Sequence, residues 1–147
     1  MSGNHWALAQ AVGHARPYRF QHPLSGAVWN QDTMRDAVRA FVARHLGDGG
    51  VLIFDETGDV KRGTATAGRI ENAIVAVYAG YATAHGHAPV DRELYVQAEW
   101  LTHPERMRAA GLDAEHAFAT KGQIARDQAQ RALDGGLEPA WATGDEV

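Results

Sequence analysis

The sequence contains no cysteine, which excludes disulfide bonds, thiolate zinc sites, redox-active thiols and cysteine nucleophiles. It also has no long hydrophobic run, since the longest, residues 73–81, is far shorter than the roughly 20 residues that a membrane-spanning helix needs. The N-terminus lacks the basic segment and continuous apolar stretch of a secretory signal. We therefore expect a cytoplasmic protein with no membrane span, and a reducing compartment is compatible with this composition.

An excess of basic charge is absent as well. Fourteen Lys and Arg residues stand against 18 Asp and Glu residues, a formal net charge of -4, which excludes a strongly basic surface and leaves only local basic patches for nucleic acid. Hydrophobic residues make up 45% and charged residues 22% of the 147 residues. These values are typical of one globular domain that buries a core.

The residue patterns predict the order helices, three strands, helices, strand. Helical spacing of apolar residues predicts helices over residues 4–12, 30–45, 105–110 and 121–133. In the second of these, Met34, Val38, Phe41, Val42 and His45 follow the capping candidates Asn30 and Asp32 and mark the packed face. Pro17 and Pro23 interrupt residues 16–26, which predicts a loop with a short turn.

Apolar and β-branched runs predict strands over residues 51–54, 70–81, 88–96 and 139–143. The first three follow one another closely, which predicts a meander, and the mixed composition of the third is typical of an exposed edge strand. Two strands end in carboxylates: Asp55 follows VLIF, and Asp145 follows WATG. Carboxylates are ligands for hard divalent cations in phosphoryl-transfer sites, but Asp is also common where a strand gives way to a turn.

A family resemblance favours the first of these interpretations. The stretches VLIFDETGDVKRGT, TAGRIENAIVAVYAGYAT, GHAPVDRELYV and AWATGDEV, with the spacing into PERMRAAG and AFATK, resemble the catalytic domain of DDE-superfamily insertion-sequence transposases. More narrowly, they resemble the actinobacterial "seven-oh-one" type. NHWALAQAVG and VWNQDTMRDAVRAFVARHLGD resemble the segment leading into that domain. The resemblance implies an α/β (α+β) fold, with an RNase H-like mixed sheet over residues 49–147 preceded by a small helical N-terminal segment over residues 1–48.

The resemblance also implies roles for the two acids. Asp55 would be the first acid of a catalytic triad and Asp145 the second, both ligating Mg²⁺ or Mn²⁺, with metal-bound water or a DNA 3′ hydroxyl attacking a phosphodiester. The family further implies a third carboxylate, a Glu on a helix well downstream of the second Asp. Only Glu146 and Val147 follow here, so the resemblance predicts an incomplete sheet in a chain truncated after the second acid.

Other acids are weak substitutes for the third ligand. Glu146 and Glu56 directly follow Asp145 and Asp55, and successive side chains of a strand point to opposite faces. Asp91 and Glu93 share one strand face and are secondary candidates.

Several basic residues are candidates for DNA contact. Lys61 and Arg62 would lie beside the metal site, and Arg69 and Arg92 are further candidates, although Arg92 has the alternative of pairing with an acid. Arg35 and Arg39 either contact phosphate or lie on a solvated helix face with local ion pairs.

Histidines and tryptophans have plainer interpretations. His85 and His87 are expected to be exposed turn residues rather than metal ligands, because no third ligand lies near them in sequence. The four tryptophans are expected to be buried anchors rather than base-stacking platforms, because basic residues do not interleave with them. They are Trp6, Trp29, Trp100 and Trp141.

Two functions remain in competition. In the first, the protein is derived from a transposase whose ancestral activity is metal-dependent DNA cleavage and strand transfer at transposon ends, with little or no catalysis in this truncated form. In the second, it is a non-catalytic remnant that binds DNA, self-associates or pairs with full-length transposase, which the open edge of an incomplete sheet would favour.

Overall fold

The computed structural model describes residues 5–60, 73–112 and 116–145, and these residues form six helices and four strands. In chain order the elements are α1 (His5–Ala11), α2 (Tyr18–Ser25), α3 (Gln31–Leu46), β1 (Val51–Val60), β2 (Ala73–Thr83), β3 (Gly86–Leu94), α4 (Ala98–Leu101), α5 (Pro104–Ala109), α6 (Lys121–Asp134) and β4 (Trp141–Gly144). Within the described ranges, every helix is too short or too polar to cross a membrane.

The chain divides into two compact units, Met1–Met34 and Arg35–Val147. In the first unit α1 contacts α2, which occupies the stretch predicted as a loop with a short turn, so that prediction is wrong. Pro17 lies just before α2, where a proline breaks no helical hydrogen bond, and its carbonyl accepts hydrogen bonds from the N–H groups of Phe20 and Gln21. The domain boundary after residue 48 stays a prediction.

The four strands form one mixed sheet in the order β3-β2-β1-β4. β1, β2 and β3 are an antiparallel meander, as predicted, and β4 is added parallel to β1. β3 lies at one edge of the sheet, which confirms the edge-strand prediction. The predicted α/β fold with an RNase H-like sheet is therefore confirmed.

β1 is longer than predicted. The sequence pattern ended it at Phe54, but the strand continues to Val60 because β2 pairs with it at every position from Val51↔Ala82 to Val60↔Ala73. β4 pairs with β1 only as far as Phe54↔Gly144. Asp55 thus lies within β1, at the point where its pairing with β4 stops.

The core lies on one face of the sheet, between the sheet and helices α3 and α6. Its buried side chains come from these helices, from the strands and from the segment before β4: Val42, Leu52, Phe54, Ala79, Tyr81, Val90, Ala132 and Leu137. A smaller cluster of Val96, Trp100 and Met107 holds α4 and α5 together.

The packed face of α3 differs from the predicted one. Val42 is buried, but Met34, Val38 and Phe41 are exposed, and Arg39 is buried instead. The apolar spacing of α3 therefore did not identify its inner face, because a buried ion cluster rather than an apolar stripe attaches this part of the helix.

Asp91 of β3 is the centre of that ion cluster. Its side chain is 0% exposed, and its Oδ2 accepts hydrogen bonds from Arg39 Nη2 of α3 and from Arg131 Nε of α6, both at 2.9 Å. Arg131 Nη2 also donates to Glu93 Oε2 at 2.7 Å, and Arg39 Nη1 donates to the Arg131 carbonyl at 3.0 Å. One carboxylate thus connects both core helices to the edge of the sheet.

Tyr81 of β2 fixes the beginning of β1 and the approach to β4. Its buried hydroxyl donates to the Gly47 carbonyl at 3.0 Å and accepts from the Gly50 N–H at 3.1 Å, and it lies 3.4 Å from the Glu138 carbonyl. Gly50 has to be a glycine, since a Cβ there would lie 2.6 Å from both the Ala82 carbonyl oxygen and the Tyr81 ring.

We expect Asp91→Asn to lower the free energy of unfolding by about 3–5 kcal/mol, because it leaves Arg39 and Arg131 without the buried counter-charge. Urea unfolding followed by circular dichroism measures this loss. The matched control is Asp127→Asn: Asp127 pairs with Arg126 on the surface, where an ion pair contributes at most about 1 kcal/mol. Equal, small losses in both variants would contradict the central role of Asp91.

We expect Tyr81→Phe to lower the free energy of unfolding by about 1–3 kcal/mol, because the buried Gly50 N–H loses its hydrogen-bond partner while the ring keeps its packing. Amide hydrogen exchange is the sharper measurement, since protection should fall first at Gly50 and in β4. Unchanged protection there would show that the hydroxyl does not hold the two segments.

Candidate functional site

Asp55 lies in β1, and Asp145 directly follows β4, the strand that runs parallel to β1. The last pair between β1 and β4 is Phe54↔Gly144, and each aspartate is the next residue along the chain. Adjacent strands lie about 4.8 Å apart, so this register predicts that the two carboxylates lie near each other. Both acids that the sequence singled out thus come one residue after the last pair between these strands.

Asp55 lies on the face of the sheet opposite the core. Leu52 and Phe54 point into the core, and strand alternation sends Ile53 and Asp55 to the other face. On that face Ile53 is 42% exposed, and Trp141 of β4 is 75% exposed. Asp55 and Asp145 are themselves exposed, so an external ligand can approach them.

Glu56 lies apart from Asp55, as the alternation predicted. It pairs with Lys121 in the first turn of α6. That turn is fixed by a capping box, in which Thr120 accepts the Gln123 N–H and the Gln123 side chain accepts the Thr120 N–H. Glu56 thus attaches α6 to β1, whereas Glu146 lies outside the described residues.

Asp91 and Glu93, the secondary candidates for a third ligand, have another role. Both are engaged by arginines of the core face, and Asp91 is fully buried there. Strand alternation therefore places them on the face opposite Asp55, and this secondary prediction is wrong.

Burial and neighbouring charges shift the pKa values of the two arginines around Asp91. Burial lowers the pKa of Arg39, and the neighbouring Asp91 opposes this only in part. Burial also acts to lower the pKa of Arg131, but hydrogen bonds to Asp91 and Glu93 outweigh it and raise that pKa. Because arginine titrates far above neutral pH, both remain charged. The expectation that Arg39 contacts phosphate or lies on a solvated helix face is wrong.

Of the four basic candidates for DNA contact, three lie outside the described residues: Lys61, Arg62 and Arg69. Arg92 shows the acid pairing that was one of its two alternatives, with its Nη1 3.9 Å from Asp91 Oδ1 and its N–H donating to the same oxygen at 2.8 Å. A DNA contact by Arg92 stays a prediction.

The histidine prediction is confirmed for exposure but not for the position of His87, and the tryptophan prediction is mostly wrong. His85 lies in the turn between β2 and β3, and His87 in the first residues of β3, and both are exposed. Of the tryptophans only Trp100 is buried, and Arg106 stacks over its ring at 4.4 Å. The other three, Trp6, Trp29 and Trp141, are exposed.

Comparison with protein families agrees with this geometry. The family model described as "DDE superfamily endonuclease" matches residues 6–147. The chain belongs to this family of DDE endonucleases. A search of curated proteins and a search of solved structures each found no match. Family membership supports a nuclease function of the transposase type with DNA as substrate, and the superfamily is in general dependent on divalent metal.

In this DDE endonuclease, Asp55 and Asp145 are of the residue type that binds hard divalent cations. Asp55 and Asp145 offer only carboxylate oxygens, the ligands that Mg²⁺ and Mn²⁺ prefer. Among residues 5–60, 73–112 and 116–145, no group of three or more His, Asp or Glu side chains is close enough to hold a metal. That Asp55 and Asp145 ligate such an ion stays a prediction.

Sequence reasoning did not single out Tyr78. It is the β2 partner of Asp55, and it is 41% exposed on the same face. The signal was present in the apolar run of β2: Tyr78 and Tyr81 are three residues apart, so alternation places them on opposite faces. One of the two tyrosines therefore had to lie on the face opposite the core.

Proposed function

We propose that this DDE endonuclease is a transposase-derived protein whose site, Asp55 with Asp145, is built for metal-dependent cleavage and strand transfer of DNA at transposon ends of the insertion-sequence type. The observation that carries the proposal is the register of β1 and β4 in an RNase H-like sheet, in which the last pair, Phe54↔Gly144, directly precedes the two exposed aspartates. The narrower "seven-oh-one" resemblance is consistent with it.

Asp55 and Asp145 would hold Mg²⁺ or Mn²⁺, which when bound supplies charge stabilisation to the attacking and leaving oxygens of a phosphodiester. The protein's own contribution is to fix Asp55 within a strand and Asp145 directly after one. Asp55 is held by pairing with β2 on both sides of it, and Asp145 follows directly on the pairing with β1. This arrangement would place both ligands before a substrate binds.

We further propose that residues 1–147 alone bind the cation weakly and cleave DNA little or not at all. In the described residues the pair has no third carboxylate beside it. A missing ligand removes stabilisation of the charge that develops in the transition state, which costs several kcal/mol.

The first test is a Mn²⁺ titration followed by the electron paramagnetic resonance signal of the free ion. We expect a dissociation constant on the order of 10⁻⁴–10⁻³ M for the wild type, as at weak carboxylate sites, and weakening of about tenfold or more in Asp55→Asn and in Asp145→Asn. Asp127→Asn, which removes an exposed acid of α6, is the matched control and should bind as the wild type does. Plasmid nicking by the same four proteins then measures catalysis.

Mn²⁺ binding that is indifferent to both aspartate substitutions would remove Asp55 and Asp145 from the metal site. Robust strand transfer by the wild type, abolished in Asp55→Asn, would keep the site but overturn the proposal of weak activity.

A specific observation favours the second function, association without catalysis. All four residues of β4 are exposed, and β4 is an edge of the sheet. An exposed edge offers unpaired backbone groups to another chain, and the exposed Trp141 adds apolar surface beside it. The partner would be a second copy or an intact transposase.

Sedimentation velocity over a range of concentrations tests this second function. We expect a concentration-dependent dimer that Trp141→Lys weakens by about tenfold or more, because a charge then replaces the aromatic side chain at the contact. The matched control is Trp6→Lys, which changes another exposed tryptophan, in the other unit. A monomer at all concentrations, both alone and mixed with an intact transposase, would rule out the association.

A further inference from the structure

A row of side chains crosses the exposed face of the sheet at the level of the two aspartates. Asp55 of β1 is the register partner of Tyr78 of β2, and Asp145 follows the last pair on the other side of β1. Directly opposed residues of an antiparallel pair have Cβ atoms about 4.5–5.5 Å apart. Tyr78 is therefore the first side chain beyond the acid pair in the direction of β2.

Tyr78 has no structural task that the described residues reveal. Tyr81, in the same strand, is buried and its hydroxyl is bonded to the Gly47 carbonyl and the Gly50 N–H. The ring of Tyr78 is 41% exposed, and among the described residues its hydroxyl has no hydrogen-bond partner. A half-exposed aromatic ring on an inner strand, beside two carboxylates, is available to an external molecule.

A groove begins at Asp55 and Tyr78 and runs along the exposed face toward the turn between β2 and β3. It has a volume of about 600 Å³ and is lined mainly by apolar atoms. Ile53, Gly80 and Pro89 form its floor as one row across β1, β2 and β3, and the missing side chain of Gly80 makes the depression. This volume lies within the range of small-molecule sites.

The apolar floor of this groove and the neighbouring carboxylate favour the base or sugar of a nucleotide over its phosphate. A phosphate is repelled by the carboxylate of Asp55 unless a cation lies between them, and it gains nothing from the apolar floor. A base or a deoxyribose has apolar faces, and bases stack on aromatic rings without regard to sequence. Because a base is covalently linked to its phosphate, a phosphate held at the acid pair carries its own nucleoside toward Tyr78.

We infer that Tyr78 binds the nucleoside next to the phosphate that a cation at Asp55 and Asp145 would hold, and that the groove beyond it accepts single-stranded DNA with its bases unstacked. This inference rests on the proposed function for the location of the phosphate. Tyr78 is a substrate-positioning residue in this arrangement: it contributes no proton and ligates no metal.

The test is the affinity for a fluorescein-labelled single-stranded DNA oligonucleotide of about 12 nucleotides, within the usual site sizes, measured by anisotropy with Mn²⁺ present. We expect Tyr78→Ala to weaken binding by about 5- to 100-fold, the range for the loss of one base stack. Tyr78→Phe keeps the ring and should bind within about twofold of the wild type, since stacking does not use the hydroxyl. Phe118→Ala, which removes an exposed aromatic ring before α6, is the control and should bind normally.

An oligonucleotide of the same length without bases provides a second measurement that needs no variant. The wild type should bind it more weakly by a similar factor, and Tyr78→Ala should bind it as the wild type does. Equal affinity of the wild type for the two oligonucleotides, or no binding of either, overturns the inference even if Tyr78→Ala fails to fold.

The Mn²⁺ titration separates this result from the proposed function. Mn²⁺ binding that depends on Asp55, together with an oligonucleotide affinity unaffected by Tyr78→Ala, leaves the metal site standing and removes Tyr78 from it. Mn²⁺ binding independent of Asp55 and Asp145 refutes the proposed function, and the inference about Tyr78 falls with it.

Discussion

The buried carboxylate of Asp91 is the constraint on which the Arg35–Val147 unit depends. It holds Arg39 of α3 and Arg131 of α6 at the same oxygen, so both core helices are fixed to β3 by one atom. Gly135, just after α6, belongs to the same arrangement, because a Cβ there would lie 2.7 Å from Arg39 Cδ. A hydrophobic replacement of such a cluster can be as stable, so its value lies as much in fixing where the helices sit as in stability.

Because the core helices cover one face of the sheet, a ligand can approach only the other face. The core contains the side chains of Leu52, Phe54, Ala79 and Tyr81. Strand alternation places the intervening side chains on the other face. The buried acid of β3, Asp91, is paired with arginines, whereas Asp55 and Asp145 are exposed, as the proposed binding of an external cation requires. The same residue type thus serves structure on one face and a candidate site on the other.

The sequence predicted the strands and the meander, but it did not predict which helix face is buried. The assignment of Asp55 and Asp145 to a metal site stays a prediction. Apolar runs and turn residues depend on local physics, and they identified β2, β3 and α6 closely. The burial of Arg39 depends on Asp91, 52 residues away, and no local pattern reports such a contact. The extension of β1 to Val60 likewise depends on pairing with β2, which overrides the polar composition of DETGD.

The proposed site of Asp55 and Asp145 depends on the far end of β1 and β4. A slip of β4 by one residue would shift Asp145 relative to Asp55 and turn each β4 side chain to the other face. The register is fixed where β4 begins: the Gly49 N–H donates to the Glu138 carbonyl at 2.7 Å, and the Ala140 N–H donates to the Gly50 carbonyl at 2.8 Å. Tyr81 holds the same segments through Gly50, and Leu137 is buried beneath them. A tyrosine on the core face therefore supports the strand register on which the proposed site depends.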